Sequence, residues 1–258
     1  MQTCPPGRRL DNQLRVDLYT SMQTNLKPLD RRQNTAAQAY AQLRAWIISG
    51  ELRPGQVISE PKMAMTFGVS RTPIREVFKR LQDEQLLDIF PQQGTVVSPI
   101  DIALVRSNQF IRETLELRTI ALAATLADVQ DIAGLHAQME AQKQLVREGN
   151  HRRFFAADDH FHETLIGIAG QPAVWKTIED AKAQIDRVRH LSLEDPDWLR
   201  RIYTEHLAIT DAIVCHDAAE AVVAMQSHLH TVYVAIDKIA LAHPHFLKKD
   251  QRTESPAF

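Results

Sequence analysis

The stretch Gly68-Val69-Ser70-Arg71-Thr72-Pro73-Ile74-Arg75-Glu76-Val77 constrains this chain more than any other. Gly68 makes a turn, Ser70 offers a hydroxyl at a helix start, and Pro73 suits a first helical turn. Arg71 and Arg75 then stand four residues apart on one helix face. On a wheel of the segment from about Arg71 to Gln82, Ile74, Val77, Phe78 and Leu81 form one stripe. Arg71, Arg75 and Lys79 fall beside it. A buried stripe adjoining a basic exposed one is what the second helix of a helix-turn-helix presents to a DNA major groove.

The flanking sequence supplies the rest of such a unit. A first helix begins at Thr35, carries Tyr40, Leu43 and Ile47 at helical spacing, and stops at Ser49-Gly50. After a turn at Arg53-Pro54-Gly55, Ser59 caps a second helix with Pro61 in its first turn and Met63, Ala64 and Phe67 on its apolar side. Beyond the third helix, Leu86–Ile89 and Thr95–Val97 flank a turn at Pro91–Gly94, which reads as a β-hairpin wing. A winged helix-turn-helix over 35–98 is therefore expected.

Charge is distributed to match. Residues 1–34 carry six Lys/Arg against three Asp/Glu, 35–100 seven against six, and 101–258 seventeen against twenty-three, giving +3, +1 and −6. A basic front and an acidic body suit contact with a polyanion at one end. No apolar run approaches the ~18 residues of a membrane span, and the start of the chain lacks an apolar signal core. A cytoplasmic location is expected. Cys4 and Cys215, far apart, make neither a disulfide framework nor a zinc ribbon. Residues 1–34, polar with Pro5, Pro6 and Pro28, read as a disordered leader.

From residue 99 to 246 nearly every segment has helical period. Six helices are expected, at about 104–127, 129–148, 151–169, 171–192, 197–216 and 217–241, with a frayed tail over 247–258. The fold class is mainly α: a winged helix-turn-helix followed by an all-α bundle that could hold a pocket between its helices.

Four polar residues face inward on these helices. Asp158 and His162 share a face with Leu165 and Ala169, while His206 sits within the stripe of Leu199, Ile202, Ile209 and Ile213. His228 lies at the edge of the stripe of Val222, Met225, Leu229, Val232 and Ile236. Buried polar groups need partners. One divalent ion (Zn²⁺, Ni²⁺ or Mn²⁺) would satisfy all four and keep open positions. Separate hydrogen bonds to each histidine would satisfy them too. Arg118 falls in the stripe of Ile111, Leu115 and Leu122, where it reads either as an ion-paired residue or as a receptor for a carboxylate. Arg112, off that stripe, reads as a surface pair with Glu116.

Leu43-Arg44, Pro54-Gly55, Ser59-Glu60, the Gly68–Val77 stretch and Gly94 together resemble the GntR superfamily of bacterial transcription regulators. The second half looks like the FCD ligand-sensing domain of its FadR-type branch, through Ile111–Glu116, Asp158, Phe161, His162, Glu205, His206 and His228. The resemblance covers about 35–240. It implies a homodimeric regulator, usually a repressor, that leaves double-stranded operator DNA when a small carboxylate or sugar acid binds. It also implies that Arg71 and Arg75 read the groove, that Arg44, Ser70 and Thr72 contact or support the phosphate backbone, and that Gly94 lets the wing approach the minor groove. Asp158, His162, His206 and His228 match the branch's metal ligands, and Arg112 matches an effector-contacting arginine. Pro61 stands where some members carry a basic DNA-contacting residue, a role left to Lys62. A metal-dependent hydrolase or lyase on the same cluster is the rival expectation, disfavoured because no positioned general base stands out. An architectural DNA-binding dimer would show no small-molecule response.

Overall fold

The computed structural model describes residues 29, 34–92, 94–192 and 195–248. The expected leader, apart from residues 29 and 34, lies outside them. The chain divides into two compact units. One holds the described residues up to Trp46 together with Ile58–Thr95; the other holds Ile47–Val57 and the chain from Val96 onward.

The first unit is built on three helices, α1 (Thr35–Ile48), α2 (Glu60–Phe67) and α3 (Arg71–Asp83). Ser59 caps α2 by accepting from the Lys62 amide at 3.4 Å. Gly68 ends α2 at φ +63, a left-handed conformation that costs a residue with a β-carbon, and its neighbour's amide closes the turn on the Ala64 carbonyl at 3.0 Å. Ser70 sits at the N-cap of α3, but its hydroxyl makes no cap bond. That departs from the role expected of it. Ile74, Val77, Phe78 and Leu81 are buried, whereas Arg71, Arg75 and Lys79 are exposed. Trp46 and Phe67 stack at 5.4 Å, and α2 packs on α3. The wing is a sheet of order β1–β3–β2, from β1 (Val57–Ile58), β2 (Leu87–Phe90) and β3 (Gly94–Val97). Gly94 opens β3 at φ +126, a conformation open essentially to glycine alone.

Among the described residues the second unit contains seven α-helices. They are α4 (Ile102–Leu126), α5 (Val129–Arg147), α6 (His151–Ile168), α7 (Pro172–Ala181), α8 (Ala183–Ser192), α9 (Pro196–Val214) and α10 (Ala218–Ala242). Asp101, Asp128, Asn150, Asp195 and Asp217 cap α4, α5, α6, α9 and α10 with their side chains. The single helix expected over 171–192 is two. α7 buries only Ile178 as a core residue, whereas α8 buries every residue from Ala183 to Arg189. Such different burial does not fit one straight amphipathic rod, and the chain turns at Lys182. At the end of the unit Leu247 pairs with Ile100 in a parallel bridge, and the Lys248 amide donates to the Ile100 carbonyl at 2.9 Å. The first two residues of the expected tail are thus tied down; 249–258 lie outside the described residues.

Among the described residues of the second unit, two apolar clusters form the interior. Phe154, Val188, Leu199, Ile202, Val232 and Ile236 belong to one, and Ile120, Phe161, Leu165, Ile209, Ile213 and Met225 to the other. On α4, α6, α9 and α10 the chain passes from one to the other through polar residues. That layer is where the site lies.

Phe78 is fully buried in the first unit. Replacing it with Ala is expected to destabilise the protein by about 3–5 kcal/mol. Lys79→Ala, one residue on and exposed, is expected to stay within about 0.5 kcal/mol. Urea denaturation followed by circular dichroism separates the two.

Candidate functional site

Asp158 and His162 come from α6, His206 from α9 and His228 from α10. All four are buried, and one ligand atom from each lies within 4.8 Å of the others. His162 Nε2 is 3.1 Å from His228 Nε2 and 3.8 Å from Asp158 Oδ2; His206 Nε2 is 3.5 Å from Asp158 Oδ1.

The outward nitrogens decide what these rings can do. His162 Nδ1 is 2.5 Å from Glu116 Oε2, His206 Nδ1 is 2.7 Å from Gln142 Oε1, and His228 Nδ1 is 3.1 Å from Glu205 Oε2. All three partners are acceptors, so each ring donates through Nδ1 and turns the Nε2 lone pair inward. Three lone pairs and a carboxylate therefore face one another, and His206 Nε2 has no hydrogen-bond partner. Lone pairs converging at these distances repel unless a cation lies between them. The donor set fits a divalent ion bound by one oxygen and three nitrogens.

The charges around the cluster are poised in the same sense. Burial alone would raise the Glu116 and Asp158 carboxyls. Arg112 and the His162 N–H outweigh it at Glu116, and Arg189 outweighs it at Asp158, holding both well below the usual carboxylate range. Burial lowers His162 and His206, keeping the rings neutral as metal binding requires.

Arg112 Nε donates to Glu116 Oε1 at 2.5 Å, and both side chains are only 2–3% exposed. The surface pair expected of them is a buried one. Among the described residues no hydrogen bond occupies the terminal amino groups of Arg112, and the residue borders a cavity open to solvent, with about 360 Å³ of empty space when that solvent is included. Asp158, Arg189 and His228 also border this cavity, with Trp198, Ile202, Leu229 and Val232 as its apolar wall. Arg118 does not border it. The buried stripe of α4 runs through Gln109, Arg112, Glu116, Thr119 and Ala123, which leaves Arg118 exposed on another side of the helix. Its expected place in a buried stripe is corrected accordingly.

On the first unit Arg71, Thr72 and Arg75 are exposed on α3, and Gly94 is exposed in the wing. Arg75 meets Glu60 at 3.3 Å with its side chain 72% exposed, an ion pair too solvated to hold it firmly. Arg44 is held by Glu84 at 2.9 Å, and Glu84 also accepts from Tyr40.

Residues 35–97 match the family described as bacterial regulatory proteins, gntR family, and 109–231 match the FCD domain. An HTH-type transcriptional regulator from the unstable DNA locus of Streptomyces ambofaciens is 36% identical over 83% of this chain and 90% of its own length. The HTH-type transcriptional repressor RspR of Escherichia coli K12 is 32% identical over 85% of this chain and 95% of its own. The chain belongs to the GntR family. It is a transcriptional regulator with a GntR DNA-binding unit and an FCD domain. Its fold matches the solved structure of McbR/YncC from E. coli, with a TM-score of 0.66 and 22% identity over 80% of this chain and 99% of that one.

Within the FCD domain, sequence reasoning assigned no role to Gln142, Glu205 or Arg189. Gln142 had a signal, a polar residue in the apolar stripe of Leu135, Met139 and Leu145. Arg189 had none. It binds Asp158 and, through Nη1, Asp159 at 3.1 Å and Asp186 at 3.0 Å.

His190, next in the chain, stacks on Phe155 at 3.7 Å. Burial, aided by the charge of Arg189, pushes its pKa down to about 3. The folded state therefore holds it neutral where the unfolded chain protonates it. Its contribution to stability is complete above pH about 6.5 and is lost as pH falls toward 3. His190→Phe keeps an aromatic ring and removes the titration. Urea midpoints measured from pH 7 to pH 4 are expected to fall less steeply in the variant.

Proposed function

We propose that this GntR regulator is a homodimeric repressor that leaves its operator when a small carboxylate binds in the FCD cavity beside a metal. The observation that carries the reading is Arg112: a buried guanidinium whose terminal amino groups have no partner among the described residues and which borders a cavity shared with Asp158 and His228 of the Asp/His₃ cluster. A buried cation in that state is a receptor for an anion. RspR, a relative over 95% of its own length, is named a repressor, which supports repression over activation and regulation over hydrolase or lyase chemistry.

In this reading residues 35–98 bind DNA and 99–246 sense the effector. Each protomer lays α3 in a major groove of one half-site, where Arg71 and Arg75 donate to guanine edges, each good bidentate contact giving about 1–3 kcal/mol of discrimination. Arg75 exchanges its solvated pair with Glu60 for the base. Ser70, whose hydroxyl makes no cap bond, and Thr72 serve the phosphates at the start of α3, where the helix dipole favours an anion. Arg44 supports the backbone contact, and Gly94 lets the wing approach the minor groove.

Asp158, His162, His206 and His228 would hold Zn²⁺, Ni²⁺ or Mn²⁺, which supplies a fixed positive centre with open positions. Glu116, Gln142 and Glu205 fix the rings that would bind it. Arg112 draws the effector carboxylate to that centre, and the effector controls DNA binding to the extent that it prefers the state unable to span two half-sites. Among the described residues no helix is long and apolar enough to cross a membrane, in keeping with a site of action in the cytoplasm.

Two variants test the two halves. Arg75→Ala is expected to weaken specific binding to DNA upstream of the regulated gene by roughly 5- to 150-fold, with effector affinity unchanged. A gel shift that keeps its full specificity removes α3 as the reading helix. His206→Ala is expected to lose most of its metal after dialysis, measured by atomic emission; undiminished content removes it from the ligand set.

A further inference from the structure

We infer that the effector is a monocarboxylic acid with an apolar body rather than a polyhydroxylated sugar acid or a diacid. The inference rests on reading the cavity beside Arg112 as the effector site, and it names the class of molecule that site takes.

Arg112 and the metal centre beside it would together receive one carboxylate, and the cavity offers no second anion receptor among the described residues. Two arginines border the cavity, but Arg189 is already shared among Asp158, Asp159 and Asp186, and Lys182 adds its own contacts to the last two at 2.8 and 2.6 Å. Arg189 has no charge to spare for a second acid group. Arg112 answers to Glu116 through Nε alone.

The rest of the cavity offers little to a chain of hydroxyls. Its wall is Trp198, Ile202, Leu229, Val232 and Ala235. The two hydroxyls that border it have their protons committed, Ser192 Oγ donating to the Arg189 carbonyl at 2.8 Å and Thr231 Oγ1 to the His228 carbonyl at 2.6 Å, so each can only accept from a ligand. The Trp198 indole adds a single N–H at most. A polyol acid entering here would bury several hydroxyls against hydrocarbon without partners, and such groups are expensive to bury. An aliphatic or aromatic body meets the same wall with a gain in buried apolar surface.

The test is calorimetric titration of the full-length, Zn²⁺-loaded protein with acetate, butyrate, hexanoate, gluconate and succinate. Affinity is expected to rise about four-fold per added methylene until the cavity is filled, with gluconate and succinate at least ten-fold weaker than hexanoate. Arg112→Met should abolish binding of every acid. Val232→Thr, which places a hydroxyl in the wall at nearly constant volume, should weaken hexanoate several-fold and leave acetate unchanged, and it keeps the inference testable should Arg112→Met fail to fold. Gluconate or succinate binding more tightly than hexanoate, in an Arg112-dependent way, overturns the apolar class and leaves the effector site standing. No binding by any acid, or binding untouched by Arg112→Met, overturns the site itself.

Discussion

Asp158 is a carboxylate 2% exposed in the middle of a helical bundle, and the second unit is arranged around keeping it charged. An isolated carboxylate in such a place would simply take up a proton. It is kept ionised by Arg189 from α8, and imidazoles from α6, α9 and α10 surround it. The imidazoles in turn need acceptors for their outer N–H groups, and find them in Glu116 on α4, Gln142 on α5 and Glu205 on α9. One buried charge thus recruits six helices. The polar layer it creates lies between two apolar clusters, which supply the burial that makes every one of these contacts strong.

The same physics separates the ion pairs around the two candidate sites by their strength. In the first unit, Arg75–Glu60 and Arg80–Glu84 are solvated, with the arginine side chains 72% and 61% exposed. Pairs of that kind contribute little and exchange readily, as the proposed trade of a protein partner for a base or a phosphate requires. In the second unit Arg112–Glu116 and the Arg189 network are buried, so breaking one partner strands the other. The solvated charges can be redirected; the buried ones are fixed, and among them Arg112 has donors left over.

Much of this was legible along the chain where apolar residues set the pattern. The stripe of Ile74, Val77, Phe78 and Leu81 fixed the orientation of α3, and with it the exposure of Arg71 and Arg75. His162, His206 and His228 were found because each sits in or beside an apolar stripe. The same method failed on α4. There the wheel chose Ile111, Leu115, Arg118 and Leu122, yet Ile111 is 40% exposed and the buried face carries Gln109, Arg112 and Glu116. A polar face can be the inner face when its partners stand on other helices, and hydropathy has no means to register that. The break at Lys182 was missed for a related reason: no Pro or Gly marks it, and the chain turns inward there because Lys182 meets Asp159, and Arg189 of α8 meets Asp158 and Asp159, from α6.

The sequence alone therefore determined the winged helix-turn-helix, the helical character of the second half and the inward-facing Asp158, His162, His206 and His228, because turns, caps and apolar periodicity are local properties. Only the tertiary structure decided that Glu116, Gln142 and Glu205 orient the imidazoles, that Arg189 is spent on carboxylates, and that Arg112 rather than Arg118 borders the cavity. Those outcomes depend on which groups meet across helices far apart in the chain, and the partner of a buried charge is settled by distance in space.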